Sequence, residues 1–302
     1  MNSLLLFMVT AVIWGATWLA ITGQLGIVSP VASVTYRFVI AAAILLAWCW
    51  QRGVPLRFPW RAHIALAGQG ACLFSLNYLC IYVAEQYVSS GLVAILFSLL
   101  AVLNVFGARV LFGAPLTVRT VLAAVLGISG VALMFFPEFG MMNNHPEVLK
   151  GIAFGVLGTL FACGGNMVAI YNQRTEVPVW SGAAWGMVYG AVISALIGVT
   201  IGVEWTFDVR PMYIISLLYL SVLGTVVAFL CYLTLLKREG AGFASYVNVV
   251  IPVVALLLST LFENYQWTGI AALGAVLALA GNFWVMRRNH RRSEGEDRVS
   301  DS

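Results

Sequence analysis

The apolar stretch at residues 62–86 carries a row of polar side chains, and these are the first candidates for chemistry. They are spaced three or four residues apart and therefore share one face of a helix: Ser75, Tyr78, Tyr82 and Glu85, with Asn77 beside them. Their hydroxyl and amide groups offer hydrogen bonds to a bound molecule, and the phenol rings add an apolar wall. The alternative is an aromatic belt at a membrane interface, which suits Tyr82 and Glu85 but not the deeper Tyr78.

Two further stretches place polar or aromatic side chains at mid-depth. In the first stretch Trp14 and Thr17 share a helix face, with Trp18 next to it. The alternatives are packing for Trp14 and an interfacial belt for Trp18. The sixth stretch contains Gly164-Gly165-Asn166, where the glycines permit a close helix approach or a local break that acts as a hinge. Asn166 is then expected to line a cavity, with an interhelical hydrogen bond as the alternative.

The ninth stretch combines polar residues with a proline. Ser245, Asn248 and Pro252 are at helical spacing, with Tyr246 alongside. Because proline lacks the backbone N–H, Pro252 frees a carbonyl near Asn248 and predicts a hinge or a polar contact. A kink used only for packing is the alternative. In the eighth stretch, Thr225 and Tyr232 are further candidates.

Three charged residues sit where a gate between helices would need them. Arg37 is the one basic residue well inside a stretch, about 10 Å from its end at 1.5 Å per residue. It either snorkels to the interface, pairs with Glu85 or Glu263 as a gate, or attracts a carboxylate, and structural pairing is the first interpretation. For Glu263, which lies near a helix end, exposure to water is the alternative.

Composition and missing motifs exclude several classes of function. Hydrophobic residues make up 61% of the 302 residues and charged residues 9%, whereas a soluble domain has about 25% charged residues. Lipid is therefore the solvent for most of the chain. The histidines lie at helix ends or in loops, the five cysteines lack metal spacing, and no phosphate-binding G-x-x-x-x-G-K-[ST] loop is present. We predict no enzyme, no metal, no cofactor, no disulfide and no nucleic-acid partner.

Ten apolar stretches must position these side chains, and each approaches the 20 or so residues that cross the hydrocarbon core. They lie near residues 4–22, 31–51, 62–86, 89–112, 116–136, 149–172, 180–203, 211–236, 241–262 and 267–286. The first lacks the basic flank and cleavage site of a secretory signal, so we expect it to remain as a helix. Two sets of five predict an all-α integral membrane protein, with two inverted five-helix repeats around a central cavity.

An internal repeat is visible in the sequence itself. A shift of 151 residues brings Leu79-Cys80 onto Leu230-Cys231 and Ala124-Val125-Leu126 onto Ala275-Val276-Leu277 without a gap. The domains predicted from it are a first repeat, a connecting loop, a second repeat and a disordered cytoplasmic tail, at residues 1–136, 137–148, 149–286 and 287–302.

The distribution of Arg and Lys predicts the orientation. With the N-terminus in the cytoplasm, only Lys150 and Arg210 lie on the other side, and Arg37 lies within a span. The cytoplasmic segments then hold Arg52, Arg57, Arg61, Arg109, Arg119, Arg174, Lys237, Arg238, Arg287, Arg288, Arg291, Arg292 and Arg298. An even number of crossings places the C-terminus in the cytoplasm as well.

The chain resembles the drug/metabolite transporter superfamily, in its ten-helix branch with two EamA-type repeats. The resemblance covers about residues 4–286 and is carried by the order of four motifs: Trp14-Gly15-Ala16-Thr17-Trp18, Tyr36-Arg37-Phe38, Val250-Ile251-Pro252 and Phe262-Glu263-Asn264-Tyr265-Gln266-Trp267-Thr268-Gly269. The first half departs from the pattern, because Ala101 stands where the second half has Pro252, and Gly113 lies near where such repeats often carry a glutamate. These departures argue against strict equivalence of the halves.

The resemblance implies a multi-pass carrier of the bacterial inner membrane that exports or exchanges small metabolites by alternating access. The chain is similar to exporters of aromatic and other amino acids, and the largely uncharged, aromatic candidate site suits such a cargo. A nucleotide sugar or an organic cation is the alternative cargo, and a passive channel is the alternative class. No Asp, Glu, His or Lys lies near the middle of a span, so we expect no proton coupling. The partners expected are the cargo and membrane lipids, and a monomer is favoured over a dimer.

Overall fold

The computed structural model describes residues 2–113, 118–134, 136, 147–245, 247–281 and 283, and every regular element among them is helical. In chain order the helices are α1 (Ser3–Thr22), α2 (Pro30–Gln51), α3 (Trp60–Ala84), α4 (Ser90–Phe112), α5 (Val118–Met134), α6 (Glu147–Arg174), α7 (Val179–Thr200), α8 (Pro211–Ser245), α9 (Val247–Phe262) and α10 (Gly269–Gly281). Seven of them, α1–α4 and α6–α8, are long and apolar enough to cross a membrane, whereas the apolar parts of the other three are shorter. An all-helical membrane fold is therefore confirmed, and the count of ten crossings stays a prediction.

The boundary between the eighth and ninth stretches differs from the prediction. The sequence predicts an end near residue 236, but α8 continues to Ser245, and α9 begins at Val247 instead of near 241. The segment Leu235–Glu239 consists of good helix formers and contains no proline, so nothing in it stops the helix. The hydroxyl of Ser3 on α1 also donates a hydrogen bond to Glu239 in this extension.

Polar side chains are buried and large apolar side chains are exposed, which is the pattern of a protein surrounded by lipid. Ser75, Ser194 and Thr10 are fully buried, while Leu196 and Val110 are 59% and 80% exposed. Helices satisfy their own backbone hydrogen bonds and therefore suit this environment. Most of the apolar surface is thus available to lipid tails.

The chain divides into two compact units, and each unit takes helices from both halves of the sequence. Unit 1 comprises Met1–Leu19, Val88–Ile152 and Val227–Ser302, and unit 2 comprises Ala20–Tyr87 and Ala153–Val226. The units therefore interleave the two predicted repeats, whose boundaries stay a prediction.

In unit 1, α4 packs on α9, and α5 packs on α10. A Cβ atom added to Gly91 of α4 would lie 2.8 Å from Ser259 Cβ on α9. A Cβ atom added to Gly130 of α5 would lie 2.6 Å from the carbonyl oxygen of Gly274 on α10. These glycines let the helix backbones approach closely, which is how packing is achieved where lipid provides no hydrophobic driving force.

In unit 2, α7 packs on both α2 and α3. Gly186 and Gly190 of α7 face α3, where a Cβ atom on Gly190 would lie 2.6 Å from Phe74 Cβ. A Cβ atom on Gly70 of α3 would lie 2.6 Å from the Gly186 carbonyl oxygen. Gly186 and Gly190 therefore allow α7 to pack closely on α3 within unit 2.

Both α3 and α8 contain a π-helical segment. In α3 it spans Gly70–Leu76, and in α8 it spans Tyr219–Val227. The shift of 151 residues that aligns the sequence halves carries residues 70–76 onto 221–227, inside the second segment. Long π-helical segments are rare and occur frequently at functional sites.

Candidate functional site

A buried arginine and its neighbours form the central feature of unit 2. We call this set the Arg37 cluster: Gln24, Arg37, Phe38, Tyr78, Tyr82 and Thr225. Arg37 is 2% exposed, and its Cζ lies 4.5 Å from the centroid of the Tyr78 ring and 5.4 Å from that of Phe38. Its Nη2 donates a long hydrogen bond of 3.5 Å to Thr225 Oγ1. Nε and Nη1 have no hydrogen-bond partner among the described residues.

The two cation–π contacts alone do not offset the burial of the arginine. Removing a charge from water costs several kcal/mol, whereas a cation–π contact contributes about 0.5–2 kcal/mol. An ionisable side chain at this depth of a membrane helix is therefore a candidate functional residue.

Tyr82 connects the cluster to the turn after α1. Its hydroxyl donates a 2.6 Å hydrogen bond to Gln24 Oε1, and both side chains are fully buried. Gln24 Nε2 has no hydrogen-bond partner in the described part of the chain. Arg37 interacts with the Tyr82 hydroxyl through its charge and a side-chain hydrogen bond, and Glu85 interacts with it through its charge. Tyr82 thus lies in the interior of unit 2 and not in a surface belt.

The two π-helical segments meet α2 at the Arg37 cluster. From α3, the Phe74 ring lies 5.5 Å from the Phe38 ring in an edge-on arrangement. From α8, Thr225 accepts the hydrogen bond of Arg37 and donates its own hydroxyl proton to the carbonyl oxygen of Leu220, five residues earlier. The irregular part of α8 therefore supplies Thr225 to the guanidinium, and that of α3 supplies the Phe74 ring that packs on Phe38.

The predicted polar row of α3 is divided by its π-helical segment. Ser75 lies within that segment, and its hydroxyl is 2.8 Å from the Ser194 hydroxyl on α7. Asn77 Nδ2 donates to the Leu73 carbonyl oxygen at 3.3 Å, and its Oδ1 has no partner among the described residues. Tyr78 and Tyr82 join the Arg37 cluster instead.

Helix α6 runs without a break through Gly164 and Gly165. A Cβ atom on Gly165 would lie 2.6 Å from Leu73 Cβ and 2.8 Å from Leu73 N, whereas one on Gly164 would meet nothing closer than Cys72 Sγ at 3.9 Å. Gly165 thus permits a close approach to α3. Asn166 is half-buried, and its cavity role and the hinge role of the glycines stay predictions.

The candidates of α1 lie in unit 1, in an aromatic group. The Trp14 ring contacts Phe229 edge-on at 5.5 Å and Tyr232 at 5.2 Å. Trp18 is buried and contacts Phe97 at 5.3 Å. The Thr17 hydroxyl donates to the Trp14 carbonyl oxygen at 2.6 Å, so it is used within its own helix.

The candidates of α9 are only partly described. Pro252 is buried inside α9, and Asn248 is exposed. Tyr246 lies outside the described residues. The hinge at Pro252 and the binding roles of Asn248 and Tyr246 stay predictions.

Glu263 binds the N-terminus of α4. Its two carboxylate oxygens accept the Ser90 backbone N–H at 3.2 Å each, and one of them accepts the Ser90 hydroxyl at 2.6 Å. A negative charge at this position compensates the unpaired N–H groups and the dipole of the helix. An ion pair of Arg37 with Glu85 or Glu263 stays a prediction.

The loop between α7 and α8 contains a local ion pair. Asp208 accepts hydrogen bonds from the Arg210 backbone N–H at 2.9 Å and from Arg210 Nε at 2.7 Å. These hydrogen bonds lower the pKa of the Asp208 carboxyl below its ordinary value, and the bond from the Arg210 backbone N–H has the largest effect. The loop is further fixed by Tyr36, whose hydroxyl donates to the Thr206 carbonyl oxygen at 3.1 Å.

Among the described residues, no group of three or more His, Cys, Asp or Glu side chains could hold a metal ion. All five cysteines are described, and each is a free thiol. The side chains of the Arg37 cluster offer a charge, hydrogen-bonding groups and aromatic faces.

Gln24 and Phe38 were not among the predicted site residues. Gln24 lies just after the first apolar stretch, where a polar residue is ordinary, so only its contact with Tyr82 identifies it. Phe38 belongs to the motif Tyr36-Arg37-Phe38, and its position next to a buried arginine was a usable signal.

Comparisons with known proteins agree with this architecture. Protein PagO of Salmonella typhimurium is 26% identical over 289 residues, covering 93% of this chain and 92% of the relative. The uncharacterized inner membrane transporter YedA of Escherichia coli K12 is 25% identical, with 90% and 89% covered. A probable amino-acid metabolite efflux pump of the same organism is 23% identical, with 91% and 92% covered.

The fold and the family agree as well. One solved crystal structure superimposes with a TM-score of 0.67 at 20% identity, covering 97% of this chain and 98% of that chain, and this likeness shows the fold. The model of the EamA-like transporter family matches twice, at residues 1–136 and 149–287. The resemblance predicted from the sequence motifs is thereby confirmed, and the chain, a multi-pass membrane protein, belongs to the EamA-like transporter family.

Proposed function

We propose that this transporter exports or exchanges amino acids with hydrophobic or aromatic side chains across the bacterial inner membrane by alternating access. The observation that carries the proposal is the Arg37 cluster, a buried cation among tyrosines in membrane-length helices of a transporter. Side chains of this kind are costly in lipid, so they are retained where they face a cargo or one another.

Amino acids fit the chemistry of the candidate site residues. An amino acid needs hydrogen-bond partners for its carboxylate and ammonium groups, and Ser, Asn and Tyr side chains supply them. An aromatic face such as that of Tyr78 suits an apolar side chain. The relative that is named a probable amino-acid metabolite efflux pump supports the same cargo. A nucleotide sugar or an organic cation is the second candidate.

The architecture that goes with this function has ten crossings in two inverted repeats, with both termini in the cytoplasm. Two observations support the repeats: the family model matches each half, and the π-helical segments of α3 and α8 correspond under the shift of 151 residues. Carriers built from inverted repeats expose a central site to one side at a time. The excess of Arg and Lys in one set of loops supports the orientation.

Transport is expected to follow the cargo gradient without proton coupling, and the protein is expected to act as a monomer. Three charged side chains are buried in the described part of unit 2: Arg37 lies in the first half of α2, Glu85 directly follows α3, and Asp208 lies in the loop between α7 and α8. A relay of carboxylates across the membrane is therefore not part of the mechanism.

Transport by purified protein in liposomes tests the proposal. Labelled phenylalanine, tryptophan and leucine are compared with a nucleotide sugar and an organic cation, with protein-free liposomes as the control. We expect saturable uptake of the amino acids, acceleration by unlabelled amino acid on the opposite side, and no accompanying proton flux. Uptake that does not saturate would indicate a channel, and proton flux in step with the cargo would refute the uncoupled mechanism.

The orientation has its own test. A single reactive cysteine introduced at Arg57 is expected to resist an impermeant reagent applied from outside the cell. One introduced at Glu204, in the loop between α7 and α8, is expected to react. The reverse result would contradict the proposed topology.

A further inference from the structure

The Arg37 cluster contains three donor nitrogens that make no hydrogen bond to the described part of the chain. Arg37 Nε, Arg37 Nη1 and Gln24 Nε2 are buried, and none of them has a hydrogen-bond partner among the described residues. Buried donors of this kind are rare, because each loses its hydrogen bonds to water without replacing them. The cluster is therefore incomplete as it stands.

The neighbouring hydroxyl groups complete it only in part. Tyr82 donates its proton to Gln24 Oε1 and Thr225 donates its proton to the Leu220 carbonyl oxygen, so each can only accept from Arg37. The Tyr82 oxygen does accept a hydrogen bond from Arg37, but Arg37 Nε and Nη1 make no hydrogen bond to either hydroxyl. Thr225 accepts from Arg37 only at 3.5 Å, the long limit of a hydrogen bond. A guanidinium binds a carboxylate through two parallel N–H groups on one edge, either Nε with Nη2 or Nη1 with Nη2. Nη2 carries two protons, so the one that is not directed at Thr225 completes such a pair beside an unpaired nitrogen. These donors would therefore recognise a small anionic group with two acceptor oxygens.

We propose that Arg37 and Gln24 bind the carboxylate of the transported molecule. In this arrangement the Tyr78 ring supports one face of the guanidinium, and Tyr82 fixes the Gln24 amide through its hydrogen bond. The inference rests on the proposed carrier function and specifies the substrate class, namely molecules with a free carboxylate. Amines and organic cations that lack a carboxylate are then poor cargo.

The burial of the site agrees with such a role. The guanidinium is closed off from solvent in this structure, so the cargo reaches it in another state of the transport cycle. A charge-assisted hydrogen bond is stronger in a water-excluded site than at a surface. The same burial makes an empty site unfavourable, which favours exchange of one carboxylate for another.

Ligand-induced thermal stabilisation of the detergent-purified wild-type protein is the first test. The ligands are phenylalanine, its amide, phenethylamine, 3-phenylpropionate and sodium chloride at matched ionic strength. We expect the two carboxylates to raise the melting temperature, and the amide, the amine and chloride to have no effect. An equal effect of chloride would assign the site to an inorganic anion and overturn the proposal, and an equal effect of the amide would do the same.

Transport by variants is the second test. Arg37→Gln is expected to raise the half-saturating concentration of phenylalanine about tenfold or more. A loss of affinity of this size follows when a hydrogen bond to a charged group is removed. Its uptake of phenylalaninamide should stay at the low wild-type level. The control is Arg61→Gln, because Arg61 is exposed and also lies beside an aromatic ring, 5.9 Å from that of Trp60.

Glu85→Gln separates recognition from a purely structural ion pair. If Arg37 only pairs with Glu85, the variants Arg37→Gln and Glu85→Gln lose the same thermal stability and neither changes the preference for carboxylates, which would overturn the proposal. If Arg37→Gln does not fold, Arg37→Lys and Gln24→Leu replace it, with a smaller loss of carboxylate affinity expected in each. Unchanged affinity in both would overturn the proposal.

The outcome for the cargo is distinguishable from the outcome for the site. Binding of 3-phenylpropionate that depends on Arg37, without binding of any amino acid, would support the carboxylate site and refute the amino-acid cargo. Transport of phenylalanine and its amide at the same half-saturation, in wild type and Arg37→Gln alike, would support the cargo and refute the site.

Discussion

Replacement of Tyr78 tests whether its ring face supports the arginine. The guanidinium carbon of Arg37 lies 4.5 Å from the ring centroid, within the range of a cation–π interaction. Tyr78→Leu keeps an apolar side chain of similar bulk but removes the π face, whereas Tyr78→Phe keeps the face and removes only the hydroxyl. The two variants therefore separate the ring from its polar group.

The expected size of the effect follows from the geometry. A cation–π interaction contributes about 0.5–2 kcal/mol, which corresponds to about twofold to thirtyfold in affinity. Tyr78→Leu should raise the half-saturating concentration of phenylalanine by that factor. Tyr78→Phe should raise it by less than twofold. Tyr78 also contacts Phe38 edge-on at 4.8 Å, so the Leu variant should lose about 0.5–1.5 kcal/mol of stability in addition.

The assay is uptake of labelled phenylalanine into liposomes at several concentrations, together with melting temperatures of the purified variants. Tyr171 on α6 is 52% exposed, so Tyr171→Leu is the matched control and should behave as wild type. If Tyr78→Phe is as impaired as Tyr78→Leu, the hydroxyl is responsible and the ring argument is wrong. If both variants transport as wild type, Tyr78 does not belong to the site.

Three further predictions concern stability, measured as the melting temperature of the purified protein. Gly165→Ala should destabilise the protein by about 1–3 kcal/mol, because the added Cβ would lie 2.8 Å from a backbone nitrogen of α3. Gly164→Ala is the control and should be neutral or stabilising. Equal effects of the two substitutions would refute the close approach of α6 to α3. Glu263→Gln should lower the stability by about 1 kcal/mol, because it removes the charge that binds the first turn of α4. The same substitution at the exposed Glu204 should leave the stability unchanged. An unchanged melting temperature of the Glu263 variant would show that the contact is not stabilising. Asp208→Asn should lower the melting temperature at pH 7. Hydrogen bonds lower the pKa of the Asp208 carboxyl in the folded state, and they therefore stabilise the folded protein at pH values above the ordinary pKa. The difference from wild type should shrink as the pH falls below about 4, and a difference that persists there would refute this cause.

The sequence predicted the positions of the helices well and their interruptions not at all. Long apolar stretches identify membrane helices because the bilayer imposes a length and excludes charge locally, and each of the ten predicted stretches overlaps a described helix. The π-helical segments of α3 and α8 have no such local signal. Each extra residue in a turn rotates the remainder of the helix by about 100°, which explains why Ser75 bonds to α7 while Tyr78 and Tyr82 turn toward Arg37.

The candidate site shows the same division. The sequence alone identified the class of protein, the family, Arg37 as the one deeply placed basic residue, and the tyrosines of α3, because cost in lipid is a property of residue type and depth. Which of these residues meet was decided by the tertiary structure. Gln24 and Tyr82 are 58 residues apart, and Ser90 and Glu263 are 173 apart. Such pairs depend on how each helix is rotated and packed against its neighbours, and the apolar pattern of one helix at a time does not contain that information.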